Sequence, residues 1–216
     1  MAPATRPLLR RLPGLGLAAL CVLAAGCGGD DDDASSDTEQ IARAVDRVME
    51  SESVKDQCET GVSERFVREV YVSLAFCREA NEPEPDDPPP DSAGVSATRI
   101  DGDKATTGVT LTSVKGARAT GRVALVNDGG AWKVDRLGVD FLRSVFAALP
   151  KEASGAEERR ILTCLARAIP DLSDAEVRRL GNLTIGQRST EGSLPPAAVR
   201  CIGGGAEPPP QESTTA

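Results

Sequence analysis

Apolar positions along this chain recur first at helical spacing, then at every second residue, then at helical spacing again. Ser36-x-x-Glu39 reads as a capping box ahead of Ile41, Ala44, Val45, Val48 and Met49, which share one helix face. A second helix is expected from about Ser63, a plausible N-cap, to Ala80. Its stripe is Phe66, Val67, Val70, Tyr71, Leu74 and Cys77. Asn81 to Ser92 holds five prolines, five acids and no base, which predicts an exposed, extended connector.

From Val95 the period is two. Segments 95–100 and 105–114 flank Asp101-Gly102-Asp103-Lys104, and 119–127 and 131–137 flank Asp128-Gly129-Gly130. Both connections are hairpin-turn signals, and Lys115-Gly116 marks the turn between the hairpins. Four antiparallel strands with one apolar face need a cover, which the two preceding helices can supply. Helical spacing returns in 139–149, with Phe141, Leu142, Val145, Phe146 and Leu149. It continues in 156–169, with Ile161, Leu162, Cys164 and Leu165. Ser173-x-x-Glu176 is a second capping box, opening a helix through Leu183, and Ser193 with Pro195 predicts a last turn or two carrying Val199 and Cys201. The fold class is therefore α+β: helices packed on a four-stranded antiparallel sheet, followed by a small helical domain.

The N-terminus carries Arg6, Arg10 and Arg11, no acid before Asp30, and an apolar stretch from Leu12 to Ala25. That stretch is too short for a spanning helix, which needs roughly 20 apolar residues, and has the build of a signal peptide. It ends in Leu23-Ala24-Ala25-Gly26-Cys27, followed by Gly28-Gly29 and the run Asp30 to Asp33. This order resembles the lipobox of bacterial lipoproteins, with Ala24 where leucine is preferred. The resemblance implies removal of residues 1–26 and a mature N-terminal Cys27 bearing acyl (palmitate-type) lipid. The membrane would then be a partner through that anchor, and the location the extracytoplasmic face of the cell membrane.

Charge and cysteine content fit that address. Removing residues 1–26 takes away three positive charges and no negative one, moving the formal charge from −8 to −11. Without a basic stripe to neutralise phosphates, the chain is not read as a nucleic-acid binder. Residues 27–37 read as a lipidated cysteine and a self-repelling, extended acidic tether; ten extended residues reach at most about 33–36 Å. Cys21 leaves with the signal and Cys27 is the lipid site, so Cys58, Cys77, Cys164 and Cys201 remain. Four cysteines in an exported chain allow three disulfide connectivities, and pairing neighbours gives Cys58–Cys77 and Cys164–Cys201. Neither Cys-x-x-Cys spacing nor histidine supports a metal or redox site, and no metal or cofactor is expected.

Two N-terminal helices, a connector and a four-stranded meander ending in Ala131-Trp132-Lys133-Val134 resemble the nuclear-transport-factor-two-like cone fold. More narrowly, Cys58, Ser63-Glu64-Arg65-Phe66, Tyr71 and Cys77 are similar to a pattern in actinobacterial lipoproteins of that superfamily. The resemblance covers about residues 38–137. It implies a curved sheet wrapped on helices with a pocket between them. The expected organisation is a signal peptide over 1–26, a tether over 27–37, a cone-type domain over 38–150, a helical domain over 151–203 and a disordered tail over 204–216.

Candidate chemistry is thin. No histidine is present, which excludes Ser-His-Asp and Cys-His catalysis, and no nucleophile elbow, phosphate loop or paired carboxylate motif occurs. By analogy with cone-fold isomerases and dehydratases, Tyr71 as donor and Asp135 or Asp140 as base are the candidates. The competing expectation, preferred here, is a non-catalytic binding or interaction module of the cell envelope. Its partner would be an envelope protein or a small hydrophobic ligand.

Overall fold

The computed structural model describes residues 31–51, 53–82, 92–113, 115–186 and 194–202. The signal peptide, Cys27, most of the proline-rich connector, Ser193 and the expected tail lie outside the described residues. Helix α1 spans Asp31–Met49, and its buried stripe is Ile41, Ala44 and Val45. Residues 31–37, expected as part of an extended tether, are thus the first turns of a helix; acidic residues suit a helix N-terminus because they oppose its positive dipole end. The Ser36–Glu39 capping box is not formed for the same reason. Ser36 is inside the helix, where its hydroxyl accepts from Gln40 Nε2 at 3.3 Å.

The second helix is broken. Ser63 caps α2 (Glu64–Phe66) by accepting from the Phe66 N–H at 3.1 Å, and the helix widens into a π-helical stretch over Val67–Tyr71. Val72 then takes φ +68°, and α3 (Leu74–Ala80) restarts with Ser73 accepting from the Phe76 N–H at 3.2 Å. Phe66, Val67, Val70, Tyr71 and Cys77 are buried as the periodicity predicts. The break turns Leu74 outward, to 39% exposure, and leaves Val72 65% exposed. Cys58 and Cys77 form a disulfide with Cα atoms 5.8 Å apart, tying α3 to the turn before α2.

Strands β1 (Ser92–Asp101), β2 (Lys104–Thr112), β3 (Arg118–Asp128) and β4 (Ala131–Leu137) make an antiparallel meander in the order β1-β2-β3-β4. Both expected hairpins form, with Gly102, Gly129 and Gly130 at positive φ, where glycine is unstrained. Ala105, Thr107, Val109, Val123, Leu125, Trp132 and Val134 alternate onto one buried face, packed against α1 and α2. Thr107 is the polar member of that face; its hydroxyl bonds Thr98 Oγ1 at 2.8 Å and donates to the Ser96 carbonyl at 3.1 Å.

Helix α4 (Val139–Ala148) lies on β3 and joins two cores: Phe141 belongs to the sheet core, Leu142 and Phe146 to a second cluster. That cluster is completed by Leu162 of α5 (Ala156–Ala168), Val177 and Leu180 of α6 (Asp174–Gly186) and Ala198 of α7 (Pro196–Ile202). The second capping box forms reciprocally: the Ser173 N–H donates to Glu176 Oε2 at 2.9 Å, and the Glu176 N–H to Ser173 Oγ at 3.4 Å. Cys164 and Cys201 form the second disulfide, with Cα atoms 5.6 Å apart, linking α5 to α7.

Candidate functional site

Among the described residues, two concavities border the sheet and its helices. The larger is an open groove of about 580 Å³ between α1 and the β3–β4 hairpin, within the volume range of small-molecule sites. Gln40, Arg43, Asp46 and Arg47 line it from one side, and Gly130, Ala131 and Trp132 from the other. Helical spacing puts Gln40, Arg43 and Arg47 on one face of α1, and Trp132 pins the hairpin to that helix by donating from Nε1 to Asp37 at 3.0 Å.

Arg43 pairs with Glu39 at 3.1 Å, but both side chains are 70% exposed, and such pairs are worth little. Arg47 donates from Nε to the Arg43 carbonyl at 3.2 Å. Two guanidinium groups thus border the groove, an arrangement suited to a ligand with an anionic or carbonyl group. Burial, with Glu50 nearby adding negative charge, pushes the Asp46 carboxyl above its ordinary value of 3.8. A carboxyl whose pKa is raised by folding weakens the native state once ionised. Asp46→Asn is therefore expected to raise Tm at pH 7, with the gain fading as pH falls through the raised folded value and gone below about 4, the unfolded carboxyl range. A pH series of thermal melts checks this; a gain independent of pH would count against it.

The smaller concavity, about 30 Å³, lies where α2, β4 and α6 meet and is lined by Asp135, Arg136, Arg178 and Asn182, with Phe66, Val70, Leu137 and Leu142 as its apolar part. Asp135 accepts from Ser63 Oγ at 2.7 Å and from Arg65 at 3.2 Å, while Glu69 accepts from Arg65 at 2.8 Å and from Arg136 at 3.4 Å. This network fastens the start of α2 to β4. The Gly61–Ser63 backbone also covers the β4 edge: the Val134 N–H donates to the Gly61 carbonyl at 2.8 Å, and the Ser63 N–H to the Val134 carbonyl at 2.9 Å.

The three residues considered for catalysis are not brought together at either concavity. Tyr71 is buried in the sheet core with its ring centroid 6.4 Å from that of Phe66, and it lines neither. Asp135 is engaged by Ser63 and Arg65. Partial burial pushes the Asp140 carboxyl up, but hydrogen bonds from Arg122 Nε (2.8 Å) and from backbone N–H groups, with the Arg122 charge, outweigh it and hold the group below its ordinary value. A carboxyl held in this way is a poor base. Among the described residues no group of three or more Cys, Asp or Glu is placed to hold a metal ion, and no helix is long and apolar enough to cross a membrane. Sequence reasoning passed over the groove because its two walls lie some ninety positions apart; the Gln40/Arg43/Arg47 spacing on α1 was its only local signal. No protein-family model, curated protein or solved structure matches this chain.

Proposed function

We propose that the protein is a lipid-anchored, extracytoplasmic binding module of a bacterial cell envelope, tethered through Cys27 and non-catalytic. On this reading the sheet and its helices are a cone-type domain of the nuclear-transport-factor-two-like kind, and the groove between α1 and the β3–β4 hairpin receives an envelope-protein segment or a small ligand with an apolar body. The observation that carries the binding reading is the lining of the groove. Gln40, Arg43 and Arg47, on one face of α1, offer hydrogen-bond donors and positive charge to a ligand there. The lipobox-like Leu23–Cys27 segment and the two disulfides support export and anchoring.

The groove is tested by reversing its charge. Arg43→Glu with Arg47→Glu is expected to lower recovery of the crosslinked partner from intact cells by about tenfold, corresponding to roughly 1.4 kcal/mol, with an unchanged circular dichroism spectrum. Equal recovery of the same partner by the wild type and the double variant would exclude the groove as the binding surface. Failure of either to recover any partner would contradict the protein-binding reading.

A further inference from the structure

The hairpin loops and the start of α1 share one end of the molecule. The Asn127 N–H donates to the Asp103 carbonyl at 2.8 Å, joining the β3–β4 and β1–β2 hairpins, and Trp132 bonds Asp37 of α1. The opposite end holds Ser92, Thr112 and Arg118, which are neighbours in the sheet register, and the end of α1, where the Glu50 carboxylate accepts from the Ala93 N–H. The second core attaches at that far end. Ser113 Oγ donates to Glu152 at 2.6 Å and Lys115 Nζ to the Glu152 carbonyl at 2.6 Å, just before α5.

We infer that the hairpin end of the sheet faces the bilayer at short range and that the stapled helical unit is carried on the outward side. This rests on the proposed lipidation of Cys27. Because α1 begins at Asp31, four chain steps separate it from Cys27, a reach of at most about 13–14 Å rather than that of a ten-residue tether. Asp37 follows after six helical residues, about 9 Å further along. The Trp132 side of the sheet is therefore within about 23 Å of the anchored cysteine. Arg118 stands ten residues of β3 away from the hairpin end, about 33 Å. The groove lies in the membrane-proximal half, since Gly130, Ala131 and Trp132 form one wall of it.

Trp132 is the sole tryptophan and a natural distance reporter. The lipidated full chain, reconstituted in phosphatidylcholine vesicles doped with dansyl-labelled lipid, is expected to lose most of its tryptophan emission by energy transfer. Inserting a Gly/Ser spacer of about 20 residues between Gly29 and Asp30, which adds roughly 25 Å r.m.s., restores most of it. Moving the donor to the far end, with Arg118→Trp in a Trp132→Phe background, leaves the emission largely intact. Vesicle-bound protein whose Trp132 emission is unaffected, or is quenched less than the Arg118→Trp donor, overturns the orientation while leaving the anchor standing. Protein that floats free of vesicles, with Cys27 unmodified by intact mass, overturns the anchor and the orientation with it.

Discussion

Replacing Cys164 and Cys201 together by serine is expected to lower stability by about 4 kcal/mol, the loop-entropy value for a bridge of 37 residues' separation. The location of the bridge makes its loss large. Helix α7 has seven residues, too few to be stable alone; it buries Cys201 and contributes Ala198 to a cluster held mainly by Leu142, Phe146, Leu149, Leu162 and Val177. A core of that size contributes little on its own, so the bridge is a substantial part of what keeps α7 docked. Urea unfolding should show a lower midpoint, with loss of α7 preceding the sheet transition by hydrogen exchange. An unchanged midpoint would mean that apolar packing alone holds α7. The Cys58–Cys77 bridge, with a separation of 19, is expected to contribute about 3 kcal/mol by the same reasoning.

Gly121→Ala is expected to cost about 3 kcal/mol, at the upper end of ordinary overpacking. Gly121 sits on β3 beneath α4, and a Cβ there would lie 2.3 Å from both the N and the Cα of Phe141. These are backbone atoms, so no side-chain rotation relieves the contact. The whole of α4 must lift, pulling Phe141 from one core and Leu142 and Phe146 from the other. Gly155→Ala is the matched control: it has open space around the new methyl, and its φ of −137° suits any residue. Thermal melts of the two variants should differ widely; a Gly121→Ala variant melting with the control would show that α4 does not press on β3 as described.

Local signals served well where local chemistry decides the outcome. The hairpins formed at Asp-Gly sequences, and alternation identified the buried face of β2, β3 and β4. The two Ser-x-x-Glu motifs show the limit. Ser173 and Glu176 cap each other, whereas Ser36 and Glu39 do not, because α1 already runs in from Asp31 and leaves no free N-terminus to cap. The break at Val72 was hidden for a different reason. A β-branched residue with φ +68° contradicts its own preference, and only the N-cap at Ser73 advertised a restart. Asp135 was legible as a polar strand residue, but its partners Ser63 and Arg65 lie some seventy positions away, so its role as a fastener emerges only from tertiary pairing.

The proposed anchoring of the protein to the membrane through Cys27 can be read from wild type and Cys27→Ala compared in membrane fractions washed with high salt. Wild type is expected to stay with the membrane and carry acyl mass on an N-terminal Cys27, while the variant is released to the soluble fraction. Retention of Cys27→Ala, or a wild-type mature chain with an unmodified Cys27, would contradict it.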